Sequence, residues 1–193
     1  MLVMATNPND AMTTLAGDLT GYPPTRVIGS GTLVDTMRLR ASLSQKLAIH
    51  PLDIRAYVLG EHGENQFFAY SNATAGGGPL ELDAEEARQL ECDVRRIGYK
   101  ILQGKGYTSS GVALAIAEIV GAIVRDTHEV MPLSTRVDGF AGVEGVCLSL
   151  PVVVGQAGIL RRINVKLSAE EQDAFRRAGV AVRETVDRIV AAG

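Results

Sequence analysis

Side chains that can exchange a proton at neutral pH are scarce here: three histidines in 193 residues, His50, His62 and His128. His62 has the most informative surroundings. In "YVLGEHGENQ", Tyr57 to Gln66, an apolar run enters Gly60, and Glu61-His62 precedes a second glycine. An imidazole, with its ordinary pKa of about 6.5, can take and give a proton there, and flanking glycines let backbone approach a ligand closely. A histidine in a flexible turn is the plain alternative. "LVDTMRLR", Leu33 to Arg40, sets Asp35 and Arg38 three residues apart, on one face of a helix. A carboxylate there can hold an imidazolium, and a guanidinium can fork onto a carboxylate ligand. The same spacing describes a weak intrahelical ion pair, which is the commoner case. Asn7 in "MATNPND" ends a short apolar run, where open α/β sheets place ligand contacts; an ordinary Asn-Pro turn reads the same way.

Other chemistries find less support. The histidines lack metal-ligand spacing, and Cys92 and Cys147 form no C-x-x-C, so neither a metal site nor a disulfide framework is expected. No G-x-S-x-G elbow occurs. "TAGGGPLELD" reads as a flexible connection, and "GSGTLV", "GGGPLE" and "GKGYTS" all fail at the third glycine of a dinucleotide fingerprint.

The elements that must carry these residues follow from periodicity. With 46% hydrophobic and 21% charged residues, the chain can bury one sizeable core. Its net charge of −3 argues against nucleic acid or an anionic membrane as partner. No run reaches the roughly 18 apolar residues of a membrane helix, and two unpaired cysteines fit a reducing cytoplasm. Leu2 to Ala5 reads as a strand, and Asp10 as the cap of a short helix through Leu19. Thr32 to Leu47 is a predicted helix with Thr32 at its N-cap, and Ile54 to Leu59 a strand leading to Gly60. Asp83 caps a helix carrying Leu90, Val94, Ile97 and Ile101. Ser109 to Arg125 is apolar almost all round, which predicts a central helix buried on most sides. "VMPLSTRV" and "GVCLSLPVVVG" read as strands, the second interrupted at Pro151. "VGQAGILRRINVKL" gives a turn and a last strand, and Ser168 with Glu171 forms a capping box for a helix with Phe175, Val182, Val186 and Ile189 inward.

Taken in order, T-N-P, G-S-G-T-x-x-D-x-x-R-x-R, G-E-H-G and K-G-Y-T-S form a series. It resembles the L-lactate/malate dehydrogenase family over nearly the whole chain, and "STRVDGFAGVEGVCLSLPVVVGQAGI" resembles that family's late strands. The resemblance implies an α+β fold, helices on a twisted antiparallel sheet, preceded by a remnant of a Rossmann sheet. It implies His62 as the acid/base that protonates a 2-oxo acid as NADH delivers hydride, with Asp35 as its carboxylate partner. By the same resemblance Arg38 clamps the substrate carboxylate, Asn7 holds the carbonyl and nicotinamide end, and Thr108 lies near the substrate side chain. Arg40 and Arg55 match an effector site for a sugar bisphosphate, Arg55 standing where a histidine is usual. A homodimer or homotetramer is implied as well.

The chain also departs from the family pattern. Without G-x-G-x-x-G it is expected to lack most of the NAD site and the mobile loop that carries the family's second active-site arginine. The expected division is residues 1–28 as the remnant of the nucleotide-binding domain and 29–193 as the substrate-binding domain. Glu64 replaces the usual aspartate, Ser110 stands where an aromatic is frequent, and the stretch from Gly63 to Gly106 is short. The expected function is the catalytic half of an L-2-hydroxy acid dehydrogenase, with a malate dehydrogenase or a non-catalytic oligomerisation or small-acid-binding module as alternatives.

Overall fold

The computed structural model describes residues 1–192, apart from the side chains of Ala84, Tyr99, Leu102 and Lys105. Gly193, the last residue of the expected second domain, lies outside the described residues. The strands are β1 Leu2–Met4, β2 Val27–Gly29, β3 Ile54–Arg55, β4 Val58–Gly60, β5 Gln66–Phe68, β6 Thr74–Ala75, β7 Gly78–Pro79, β8 Glu129–Arg136, β9 Cys147–Gly155 and β10 Gly158–Arg162. The helices are α1 Asn9–Thr20, α2 Leu33–Leu47, α3 Ala84–Lys105, α4 Ser110–Arg125 and α5 Ala169–Ala192.

Among the described residues the larger sheet runs β1-β2-β8-β9-β4-β5, with β10 also on β9, and a small sheet runs β3-β6-β7. Among the described residues β1 and β2 are the parallel pair, and the other pairs are antiparallel. β9 anchors the sheet. It pairs with β8 along its length, while its other edge meets β4 at Ser149 and β10 from Val152 to Gly155. All nine of its residues are buried, so it shows no polar face.

Four local readings are corrected. Pro151 does not interrupt β9, because it stands opposite Pro132 of β8, so the two residues without an N–H share one rung. The single strand expected over residues 54–59 divides between the two sheets at Ala56, whose carbonyl accepts from Arg40 Nε at 3.1 Å. α4 is not buried on most sides. Ala115, Ile119 and Ala122 pack inward, while Leu114 is 55% and Val124 72% exposed. Lastly, Asp10 does not cap α1: Pro8 takes the N-cap position without a side-chain hydrogen bond, and Asp10 lies within the first turn, its carboxylate used elsewhere. Asp83 behaves as expected, exchanging hydrogen bonds with Glu86, as does the Ser168–Glu171 box of α5.

α2 is held from two directions. Leu33 and Val34 join a core with α4, β8 and β9, whereas Leu39 and Leu43 join another with Ile54, Val58, Phe68 and Val94. Fully burying each such leucine stabilises by roughly 1.5–3 kcal/mol, so α2 is a rigid platform for the residues it carries. A third core, around Leu59, Leu148, Leu150 and Phe175, joins the sheet to α1 and α5.

Candidate active site

Two glycine turns deliver the central pair. Gly31, at φ +50, turns the chain from the end of β2 straight into α2; a Cβ there would meet the Ser149 hydroxyl and stand 2.6 Å from the Ser134 nitrogen. Asp35 thereby falls in the first turn of α2, where a helix favours negative charge. Gly60, at φ +88, ends β4 and leads to His62.

Asp35, 3% exposed, bonds His62 through Oδ2, 2.6 Å from Nδ1, and accepts from the Arg38 guanidinium through Oδ1 at 3.2 Å. A carboxylate facing Nδ1 requires the proton on that nitrogen, so Nε2 is the ring position available for exchange with a ligand. Burial by itself would lower the His62 pKa. The hydrogen bond and charge of Asp35, with Asp10 behind, outweigh it and raise the pKa above 6.5. The His62 main-chain N–H donates to Asp10 Oδ2 at 2.7 Å.

His62, Asp35, Arg38, Asn7 and Thr108 all line one cavity of about 570 Å³. The structure thus brings together the five residues singled out for proton transfer and substrate binding. Arg40 and Arg55 stay outside it. Arg40 lies 5.1 Å from the Tyr57 ring centroid, and burial, together with the charge of Arg55, lowers its pKa.

Sequence reasoning missed four residues. Asn9 ties the two parallel strands together, its amide donating to the Met4 carbonyl at 3.0 Å and its oxygen accepting from Gly31 N at 2.9 Å. Gln66 and Arg95 both line the cavity, and Arg95 donates to Glu91 at 2.9 Å and to the Gln66 carbonyl at 3.1 Å. The three-residue spacing of Arg95, Gly98 and Ile101 marks the cavity face of α3 and was readable. Gly98 brings this face of α3 against α2: a Cβ there would touch the Arg38 guanidinium at 3.4 Å, an ordinary contact. The fourth, Asp10, gave only the signal of a cap.

Residues 32–192 match the family model described as the lactate/malate dehydrogenase alpha/beta C-terminal domain. The chain belongs to the lactate/malate dehydrogenase family. Within this family the L-lactate dehydrogenase of Salinibacter ruber is 39% identical over 193 residues, covering 96% of this chain and 61% of that protein. That of Thermus aquaticus is 40% identical over 187 residues, covering 92% of the chain and 60% of its own length. A crystal structure of a lactate dehydrogenase enzyme from a Medee basin deep-sea metagenome library superposes with a TM-score of 0.93 at 31% identity, over 97% of this chain and 62% of that one. The chain therefore spans about three fifths of the length of these lactate dehydrogenases. The expected α+β architecture of the family, helices on a curled, mainly antiparallel sheet, is the one observed.

Proposed function

We propose that this chain is the substrate-binding and catalytic half of an NAD-dependent L-2-hydroxy acid dehydrogenase of the lactate/pyruvate type. The observation that carries the reading is the hydrogen-bonded row Arg38–Asp35–His62 on the wall of a single cavity. His62 Nε2 gives a proton to the oxo-acid carbonyl oxygen and takes it back in the reverse direction; its raised pKa favours the protonated, oxo-acid-reducing form. Asp35 orients the ring and stabilises the imidazolium. Arg38 binds the substrate carboxylate, and its ion pair to Asp35 fixes where the fork points. Asn7 donates to the carbonyl oxygen, and Thr108 borders the substrate side chain.

The cavity wall of Ala5, Asn7, Ser30 and Gly31 offers small side chains and one amide, which fits the flat nicotinamide end of NAD. NAD, when bound, supplies the hydride donor or acceptor. The parallel β1–β2 pair supports reading residues 1–28 as a remnant of a nucleotide-binding sheet, with the substrate domain following. The chain alone is expected to be inactive, because its sequence has no dinucleotide-phosphate fingerprint.

A monocarboxylate is favoured over malate or oxaloacetate. Thr108, which borders the cavity, offers a small uncharged side chain at the place read as the substrate side-chain pocket. The exposed apolar face of α4 supports a homodimer or homotetramer. The adjacent charges of Arg40 and Arg55 support an anionic effector, with one buried nitrogen of Arg40 lacking a hydrogen bond. Cys92 and Cys147, both unpaired, support a reducing cytoplasm.

The test follows NADH absorbance with pyruvate and with oxaloacetate, using the chain alone and with a supplied nucleotide-binding half. Pyruvate turnover on complementation, lost in His62→Asn, is expected. Turnover by the chain alone would contradict its incompleteness. No turnover in either case, with oxamate still bound through Arg38, would replace the enzyme with a small-acid-binding module.

A further inference from the structure

Asp10 is a buried ionisable group that this proton-transfer scheme leaves unused. It is 1% exposed, and it does not cap α1, because it lies inside the first turn, two residues past the N-cap Pro8. One carboxylate oxygen takes the main-chain N–H of His62. The other, Oδ1, makes no hydrogen bond of ordinary geometry among the described residues; the Ser134 hydroxyl of β8 acts on it as a weak donor that lowers the Asp10 pKa. An asparagine could accept the same N–H through a neutral oxygen. What the aspartate adds, therefore, is charge.

The groups around it make that charge effective. His62 and Glu61 face it from the turn after β4, and His62 is in turn faced by Asp35 and Arg38 from α2. Cys147 of β9 feels Asp10, but burial pushes its thiol up to about 12, so it stays neutral. β1 and β2 carry no ionisable side chain, and α5 turns Phe175, Ala178 and Val182 toward the core that it shares with α1. Arg136 of β8 is engaged by Asp18 at the far end of α1, and the charge of the His62 imidazole, whose ring is paired with Asp35, acts on this carboxylate.

We propose that Asp10 is a second positioning carboxylate for His62: it pins the main chain of the acid/base through its amide and adds, behind Asp35, a negative field that keeps the imidazole protonated. This rests on reading His62 as the acid/base, and it deepens that reading by dividing the task. Asp35 sets the ring's orientation from Nδ1, while Asp10 holds the main-chain N–H. Burial raises the Asp10 pKa to about 6 against the opposing pull of Ser134 and His62, so Asp10 itself discharges on mild acidification.

The deciding measurement is an NMR titration of the chain itself, which needs neither cofactor nor turnover. The His62 Cε1–H is followed in wild type, Asp10→Asn and Asp35→Asn, with the exposed His50 and His128 as internal controls. Asp10→Asn keeps the N–H acceptor and removes the charge. It is expected to lower the His62 pKa by roughly half a unit or more, and by less than Asp35→Asn does, leaving His50 and His128 unmoved. An unchanged His62 titration in folded Asp10→Asn overturns the proposal. Should that variant fail to fold, Asp10→Ser takes its place: the same lowering of the His62 pKa is expected, and an unchanged His62 titration overturns the proposal. A dehydrogenase that fails the NADH assay would leave this titration unaffected, so the two readings fail separately.

Discussion

Replacing Asp10 with asparagine should make the protein more stable at neutral pH, even though it removes a group that bonds the candidate acid/base. Burial raises the Asp10 pKa from 3.8 to about 6. The folded state therefore holds the proton more tightly than the unfolded chain. That preference is fully present below about pH 4 and is lost as pH rises through about 6. A rise of about two pKa units corresponds to roughly 3 kcal/mol of native stability lost between those limits, an upper figure for a site that can relax. Asp10→Asn has nothing to titrate there. Urea unfolding of both proteins from pH 4 to 8 should show the variant's advantage growing across the acidic range and constant above about pH 7. The corresponding gain in Tm is about 6–12 °C at most for a domain of this size. Parallel stability-versus-pH curves would refute the reasoning, because they would mean that Asp10 stays ionised in the folded state without penalty.

Three further outcomes follow from the geometry. Arg38→Lys keeps the charge but loses the planar fork, and calorimetry should find oxamate bound at least about tenfold more weakly. Gly31→Ala forces a side chain into a φ of +50 against Ser149 and Ser134, and should lower the unfolding free energy measured in urea by roughly 1–3 kcal/mol or more. Leu114→Ser with Val124→Glu, on the exposed face of α4, should change the stability of the monomer by less than about 0.5 kcal/mol per site while shifting sedimentation toward monomer. An unchanged assembly state would remove that face from consideration as an interface.

How far the sequence revealed this molecule depended on the range of the forces involved. Asp35, Arg38 and His62 could be read because each sits in an ordered motif, and the 3.6-residue period put the first two on one face of α2. The Ser168–Glu171 box was legible for the same reason: its partners are three residues apart. Asp10 was misread because capping is a local rule, whereas its bonding partner is 52 residues away. The break at Ala56 likewise depends on Arg40, sixteen positions earlier. Proline rules placed an interruption at Pro151, but they treat one strand at a time, and a second proline across the ladder removes the mismatch. The apolar circumference of α4 predicted burial on most sides, whereas only Ala115, Ile119 and Ala122 pack inward, because periodicity does not say which apolar face the fold covers. Arg95 and Gly98 show a different limit: their period was visible, but only the fold reveals that this face of α3 closes over Arg38.

α2, wedged between two cores, carries both Asp35 and Arg38. Those two groups travel as one body, so on the proposed reading the spacing between the acid/base's partner and the carboxylate-binding arginine is set when the chain folds rather than when a ligand arrives. On the same reading, adjustment to acids of different bulk falls to Tyr107, Thr108 and Ser109, which border the cavity from an exposed connection between α3 and α4. If the proposed function holds, substitutions in that connection would change selectivity while leaving the Arg38–Asp35–His62 row in place.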